Sequence, residues 1–460
     1  MTTLDSLKTI IGSDNVLTDS DSLQTYGKDW TKTHQPDPFA IVFPSSTEQV
    51  QALVKFSNQE SISLVPSGGR TGLSGGAVAA NKEIVVSFDK MNQILEFNAI
   101  DRSVHCQAGV ITQQLQNLAT ENDLFYPVDF ASSGSSQIGG NISTNAGGIK
   151  VVGYGLTRNW VLGLTVVTGA GEILKLNHGL VKNATGYDLR HLFIGAEGTL
   201  GFITEATMKL ARAPQNFSVM VLAVNDIPDL MKVFNAFQNS LDLSAFEFFS
   251  DLTLHYMHTD KGYAKPTEQE APFYALLEFD NDNEQRETKA LETFEYCMEQ
   301  GWVVDGVMSQ SIEQAKTLWK LREDVSETIS VYTPYKNDLS VTISKVPEFL
   351  DAVDELVQAN YSEFEVLWYG HIGDGNLHLN ILKPADMDAT EFNKKCSVVN
   401  HQVFEVTQKL EGSISAEHGV GLLKRDYLQY SRSPEELAYM KAVKAVFDPN
   451  GIMNPGKMLK

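Results

Sequence analysis

At 460 residues the chain exceeds what one hydrophobic core supports, so two or three domains are expected. Its apolar share of 42% and charged share of 20% are those of an ordinary soluble globular protein. A net charge of −22 with no basic run makes nucleic acid and anionic membranes poor partners, so a small anion would need a local cluster of Arg and Lys.

The opening Met1-Thr2-Thr3-Leu4-Asp5 has neither the order of a signal peptide nor the Arg-rich composition of a transit peptide. No run approaches the roughly eighteen apolar residues of a transmembrane helix. Cys106, Cys297 and Cys396 form no CxxC pair and no disulfide framework, so a cytoplasmic protein with buried filler cysteines is expected.

The first strand is expected at Ala40 to Phe43. Ser46-Thr47-Glu48-Gln49 then reads as a capping box opening a helix whose core face is Val50, Leu53 and Val54. Further strands follow at Ser63 to Val65 and Ile84 to Phe88, and a hairpin at Ile94 to Phe97 and Ser103 to Cys106 around Asp101-Arg102. Short strands without regular βα alternation indicate an α+β fold rather than a doubly wound sheet.

Three glycine-rich segments punctuate this half. Pro66-Ser67-Gly68-Gly69-Arg70-Thr71-Gly72-Leu73-Ser74-Gly75-Gly76 follows a strand, and its missing Cβ atoms let backbone N–H groups converge on an anion. It is not GxGxxG, which disfavours a Rossmann site. The second runs from Ser132 through Ser136, Gly139, Gly140 and Asn141 to Gly148, and the third is Gly195-Ala196-Glu197-Gly198-Thr199-Leu200-Gly201. One such loop is usually a tight turn. Three suggest a long ligand with a diphosphate and a hydrogen-bonding ring.

Beyond residue 212 the glycine density falls and amphipathic helices appear, which sets domains at 1–212 and 213–425 with a closing segment at 426–460. His255 and His258 have helical spacing but no matching acidic ligand, so they read as part of a half-exposed face. A helix is expected from Ile312 to Ser330, carrying Arg322 and Ser326 at i and i+4, with Lys336 shortly after. An Arg fork, a hydroxyl and an ammonium could clamp a carboxylate, or they could be surface charge paired with Glu323 or Asp324.

A strand at Val366 to Tyr369 leads into Gly370-His371-Ile372-Gly373-Asp374-Gly375-Asn376-Leu377-His378-Leu379-Asn380. If Gly373 to Asn376 is the loop, His371 faces His378 with Cβ atoms roughly 4.5–5.5 Å apart. Two imidazoles that close can share a metal ion, or merely stack. Asn380 is the next polar residue on that face. A second helix is expected at Glu391 to Lys409, and after it Glu417-His418 adds a carboxylate and a third imidazole, both able to reach one site only at a strand end or bend. Ser433-Pro434-Glu435-Glu436 starts a last helix, carrying Leu437, Met440, Val443 and Val446 and ending at Asp448-Pro449-Asn450-Gly451.

The glycine segments, in the order PSGGRTGLSGG, ASSGSSQIGGNISTNAGG and KNATGYDLRHLFIGAEGTLG, resemble the FAD domain of vanillyl-alcohol-oxidase-type flavoproteins. GHIGDGNLHLN, SAEHGVGLLKR and FDPNGIMNPGKML resemble the C-terminal half of the D-2-hydroxyacid dehydrogenase branch, so the likeness spans nearly the whole chain. It implies an α+β protein with such an FAD-binding domain and a second α/β substrate domain. The diphosphate would be wrapped by Pro66, Ser67, Gly68, Gly69, Arg70, Thr71, Gly72, Ser74 and Gly75. Ser132, Ser133, Gly134, Ser136, Gly139, Gly140, Asn141, Thr144, Asn145 and Gly147 would line the ring and ribityl portions, with Glu197, Gly198, Gly201 and Ile203. The tail with Asn454 would return to the flavin, held non-covalently.

Oxidising a 2-hydroxyacid removes a hydride from Cα and a proton from a weakly acidic hydroxyl, so a base and a divalent ion both help. His371, His378 and Glu417 suit zinc, with manganese or iron as alternatives, and leave His418 as the base. The branch uses an Arg, a hydroxyl and a Lys for its substrate, matched here by Arg322, Ser326 (where a Thr often stands) and Lys336, with Asn380 beside the metal. The expected reaction is D-2-hydroxyglutarate to 2-oxoglutarate with FAD as hydride acceptor, and D-lactate or D-malate as the alternative substrate. An electron carrier such as electron-transfer flavoprotein and a second copy of the chain are the expected partners. His-His-Glu also serves zinc hydrolases, but hydrolysis needs no diphosphate cradle.

Overall fold

The computed structural model describes residues 2–31 and 33–460. Two compact units emerge, one of Met1–Gly148, Gly155–Ala213 and Glu417–Lys460, the other of Ile149–Tyr154 and Pro214–Ala416. The second unit therefore closes at Ala416, where composition had suggested residue 425.

In the first unit, β1 (Val16–Leu17), β2 (Ala40–Val42), β3 (Leu64–Ser67) and β4 (Ile84–Ser87) form a sheet in the order β1-β2-β4-β3, with both pairings to β4 parallel. Next come β5 (Ile94–Asn98), β6 (Ser103–Gln107), β7 (Leu124–Phe125), β8 (Val161–Thr168), β9 (Ile173–Leu176), β10 (Gly201–Lys209) and β11 (Ala211–Arg212). Five of them pair as β5-β6-β10-β8-β9, while β7 pairs with β11. The expected hairpin is present, Asn98 opposite Ser103.

The helix Thr47–Glu60 buries Val50, Leu53 and Val54 as its periodicity required, and Ser46 caps it by accepting from the Gln49 N–H. The return half of the capping box differs. Gln49 Oε1 takes the N–H of Ser45, 2.8 Å away, instead of that of Ser46. The last helix, Pro434–Phe447, has the full reciprocal box at Ser433 and Glu436. Its apolar stripe is less buried than expected: Leu437 and Met440 pack on Leu428, Met458 and Leu459, while Val446 is 73% exposed.

The second unit is built on an antiparallel sheet of β12 (Phe217–Val224), β13 (Leu243–Ser250), β14 (Phe273–Asp280), β15 (Val303–Met308), β16 (Tyr335–Ser340), β17 (Val366–His371) and β18 (Asn376–Ile381). The order is β15-β12-β14-β13-β17-β18-β16. Its central strands read as continuous apolar runs because both faces are covered; in β13 every residue from Leu243 to Phe249 is buried. The helix Ile312–Glu323 turns Ala315, Leu318, Trp319 and Arg322 inward. The expected single helix to Ser330 is broken at Asp324, whose ψ of −2° leaves the α-helical range before a short helix resumes at Val325.

One ion pair locked inside this unit joins Lys150 and Glu278. Lys150 Nζ lies 2.6 Å from Glu278 Oε1, and Glu278 also accepts from Ser244 Oγ at 2.5 Å and Trp319 Nε1 at 2.8 Å. Removing one partner of a buried pair strands the other. Lys150→Met is therefore expected to cost about 3–5 kcal/mol, read as a lower urea midpoint. An unchanged midpoint would show that Glu278 is stable without the lysine. The three cysteines are buried and unpaired, with burial pushing Cys106 up to about 12 and Cys297 and Cys396 each to about 11, so none is a ready thiolate.

Candidate active site and metal centre

The hairpin of β17 and β18 presents both histidines to one face, although not in the expected register. His371 pairs with Asn376 and Tyr369 with His378. The turn runs through a short 3₁₀ stretch, Ile372–Asp374, and Gly375, so β18 starts at Asn376. Gly375 sits at φ +83°, where a Cβ would come within 2.1 Å of the Val341 carbonyl oxygen, which makes glycine obligatory there. Asn376 and His378 are two apart and share a face, so His371 meets His378 diagonally with ring centroids 5.5 Å apart.

Glu417 follows Ala416 directly, and Ala416 donates its N–H to the Asp338 carbonyl on the edge strand β16. Residues 416–418 form a bend, which is how Glu417 and His418 avoid the opposite-face geometry of a strand. Ligand atoms of His371, His378 and Glu417 lie within 4.8 Å of one another, a spacing that fits one divalent ion. His418 stays beside Glu417, its Nε2 3.4 Å from Glu417 Oε1.

Sequence reading missed what stands behind these ligands. His371 Nδ1 is 2.8 Å from Glu247 Oε1, so Nε2 is the nitrogen left for a metal. His378 Nδ1 lies 3.9 Å from Asp338 Oδ1. The signal for Glu247 was available, as it is the one charged residue in the buried run Leu243 to Phe249.

Of the expected substrate residues, Asn380 shares a face of β18 with His378, and Arg322 meets Glu247, the partner of His371. Asn380 is 1% exposed, and neither of its amide atoms has a partner among the described residues. Arg322, 6% exposed, forms an ion pair with Glu247, Nε 2.8 Å from Oε2 but without hydrogen-bond geometry, and holds its guanidinium 4.9 Å over the Tyr369 ring, while neither Nε nor Nη2 is hydrogen-bonded among the described residues. Buried donors left open mark the place of a ligand's acceptors. Lys336 Nζ and Ser326 Oγ are 2.7 Å apart on an exposed edge, and Lys336 stands opposite Asn380 in register. The helix break at Asp324 separates buried Arg322 from exposed Ser326, so they do not share one continuous helix face. His255 and His258 are both exposed.

In the first unit the three glycine segments come together. Gly69 passes so close to the second segment that a Cβ would lie 2.2 Å from the Ser135 carbonyl oxygen. Glu197 donates its N–H to Ser143, and Asn454 Nδ2 donates to the Gly76 and Glu197 carbonyls at 2.9 and 2.8 Å. Ser67 Oγ, Gln137 Oε1 and Asn454 Oδ1 are buried without partners among the described residues, as a polar ligand's site requires. Three expected FAD residues instead use their side chains internally: Ser133 on Asp129, Ser136 on Thr112, and Asn141 on Thr112. The Glu197 carboxylate takes the N–H groups of Val420 and Gly421 at 2.7 and 2.8 Å; burial raises its pKa while those bonds oppose the rise.

Residues 38–177 match the FAD binding domain family, and residues 213–458 match the family of FAD linked oxidases, C-terminal domain. The chain is 64% identical to D-2-hydroxyglutarate dehydrogenase of Stutzerimonas stutzeri (strain A1501), over 99% of this chain and 98% of the relative. A protein of the same description from Arabidopsis thaliana, mitochondrial, is 37% identical over 98% of this chain and 80% of its own length. The solved 4-ethylphenol oxidase from Gulosibacter chungangensis superposes with a TM-score of 0.77 at 16% identity, covering 99% of this chain and 96% of that one, which speaks to the fold. The chain belongs to the FAD-linked oxidases. Within that family it is an FAD-dependent dehydrogenase.

Proposed function

We propose that this protein oxidises D-2-hydroxyglutarate to 2-oxoglutarate in an FAD- and metal-dependent reaction. The observation that carries the reading is the convergence of a three-ligand cluster with buried, open polar groups on Asn380 and Arg322. The 64% identical relative carries that substrate in its name.

Bound FAD supplies the hydride acceptor, and a zinc ion held by His371, His378 and Glu417 supplies Lewis acidity at the hydroxyl. His418 takes the hydroxyl proton. Arg322 offers Nη2 to a substrate carboxylate, Lys336 and Ser326 extend the clamp, and Asn380 orients the hydroxyacid end. The first unit carries the flavin and the second the substrate. Reoxidation falls to a carrier such as an electron-transfer flavoprotein, in the cytoplasm, with the enzyme as a homodimer. No helix among the described residues is long and apolar enough to cross a membrane.

The test is a flavin spectrum together with kcat/KM for D-2-hydroxyglutarate, D-malate and D-lactate. The highest value for D-lactate would sink the substrate assignment. Arg322→Ala should raise KM for D-2-hydroxyglutarate by roughly 10–100-fold, the effect of losing a charged hydrogen bond of about 1.5–3 kcal/mol. Because the variant also strands Glu247, the decisive quantity is the ratio of that KM to the KM for D-lactate, which has one carboxylate fewer. An unchanged ratio would remove Arg322 from the clamp.

A further inference from the structure

Glu247 is neither a metal ligand nor a member of the substrate clamp, yet it touches both. Its Oε1 is 2.8 Å from His371 Nδ1 and its Oε2 is 2.8 Å from Arg322 Nε. It is 1% exposed, set in β13 between Phe246 and Phe248, both fully buried. A carboxylate that deep persists only with partners, and this one has a hydrogen bond on Oε1 and an ion pair on Oε2.

The contacts close into a ring. Arg322 lies 4.9 Å over Tyr369, Tyr369 and His378 have ring centroids 5.1 Å apart, and His378 and His371 5.5 Å apart. From His371 the ring returns through Glu247 to Arg322. We propose that Glu247 is a positioning residue that couples metal binding to recognition of the substrate carboxylate, a role resting on the function proposed above. On one side it accepts the imidazole Nδ1–H, which fixes the tautomer and turns Nε2 toward the ion. On the other it engages Arg322 through Nε, leaving Nη2 for a carboxylate.

The chemistry makes this sensitive to one atom. His371 presents a hydrogen-bond donor and Arg322 a positive charge, and a carboxylate answers both, one with each oxygen. Glutamine has one acceptor oxygen and one NH₂, so it serves one neighbour and opposes the other. Aspartate keeps both acceptors with a shorter reach.

The experiment uses the full-length flavin-loaded protein. Zinc affinity is measured by competition with a chromophoric chelator, and kcat and KM are measured at zinc concentrations that fill the site. In Glu247→Gln, zinc affinity should weaken roughly 10–100-fold, the usual cost of losing a partner behind a metal ligand. On refilling with zinc, kcat should recover in large part while KM for D-2-hydroxyglutarate stays raised and KM for D-lactate changes little. A fold defect alone would lower flavin content and move both KM values together, which overturns the coupling. Glu247→Asp should give intermediate zinc affinity and KM, and keeps the test open should the Gln variant not fold. Wild-type zinc affinity in both variants overturns the proposal, as does zinc loss with unchanged KM. Wild-type protein that takes up no divalent ion would overturn the metal reading itself, and this role with it.

Discussion

His418→Ala is expected to lower kcat by roughly 10²–10⁴, the usual contribution of a positioned base, while metal content and flavin absorbance stay near wild type. The reason is placement. His418 stands at the same bend as Glu417, 3.4 Å from it, outside the trio of ligand atoms within 4.8 Å of one another. Protonated imidazole cannot accept the hydroxyl proton, so wild-type kcat/KM should fall as pH drops, and the variant should lose that acidic limb. A ligand role predicts a different outcome, with metal stripped from the His418 variant as fully as from a His371 variant. Metal lost from His418→Ala but kept in Glu417→Ala would exchange the two assignments.

His371→Ala is expected to abolish tight metal binding and, with it, turnover, while the protein remains yellow. Two ligands then remain of three, and Glu247 loses the imidazole that partners its Oε1. FAD is assigned to the glycine segments of the first unit, none of which contains His371. The measurement is metal content and flavin absorbance on the same purified sample. Loss of flavin with metal retained would contradict this division. The His371 and Glu247 variants should differ in kind, since excess zinc refills a site that lacks an orienting carboxylate but not one that lacks a ligand.

The local features were readable residue by residue. Ser46 and Ser433 announce helix starts because a side-chain oxygen satisfies an N–H that the helix leaves open. His371 and His378 share a face in either register because Asn376 and His378 are two apart on one strand. The glycine segments are legible because the absence of a Cβ is a property of each residue alone. Composition shows two halves because glycine-rich loops and amphipathic helices differ over long stretches.

What tertiary structure decided are the pairings between distant segments. Whether His371 faces His378 or Asn376 depends on how Gly375 clears the Val341 carbonyl, a contact that hairpin spacing does not contain. The helix expected to run to Ser330 stops at Asp324, where Tyr263, 61 positions away, donates its hydroxyl to the Asp324 carboxylate at 2.5 Å. Arg322 read either as part of a carboxylate clamp or as surface charge paired with Glu323 or Asp324, and it is buried and paired instead with Glu247 on a strand 75 residues earlier in the chain. Periodicity reports which side of an element faces inward, because that follows from the pitch of the backbone. Which charge waits on that inner side depends on long-range packing, and a buried carboxylate such as Glu247 acquires its two roles only when strand and helix meet.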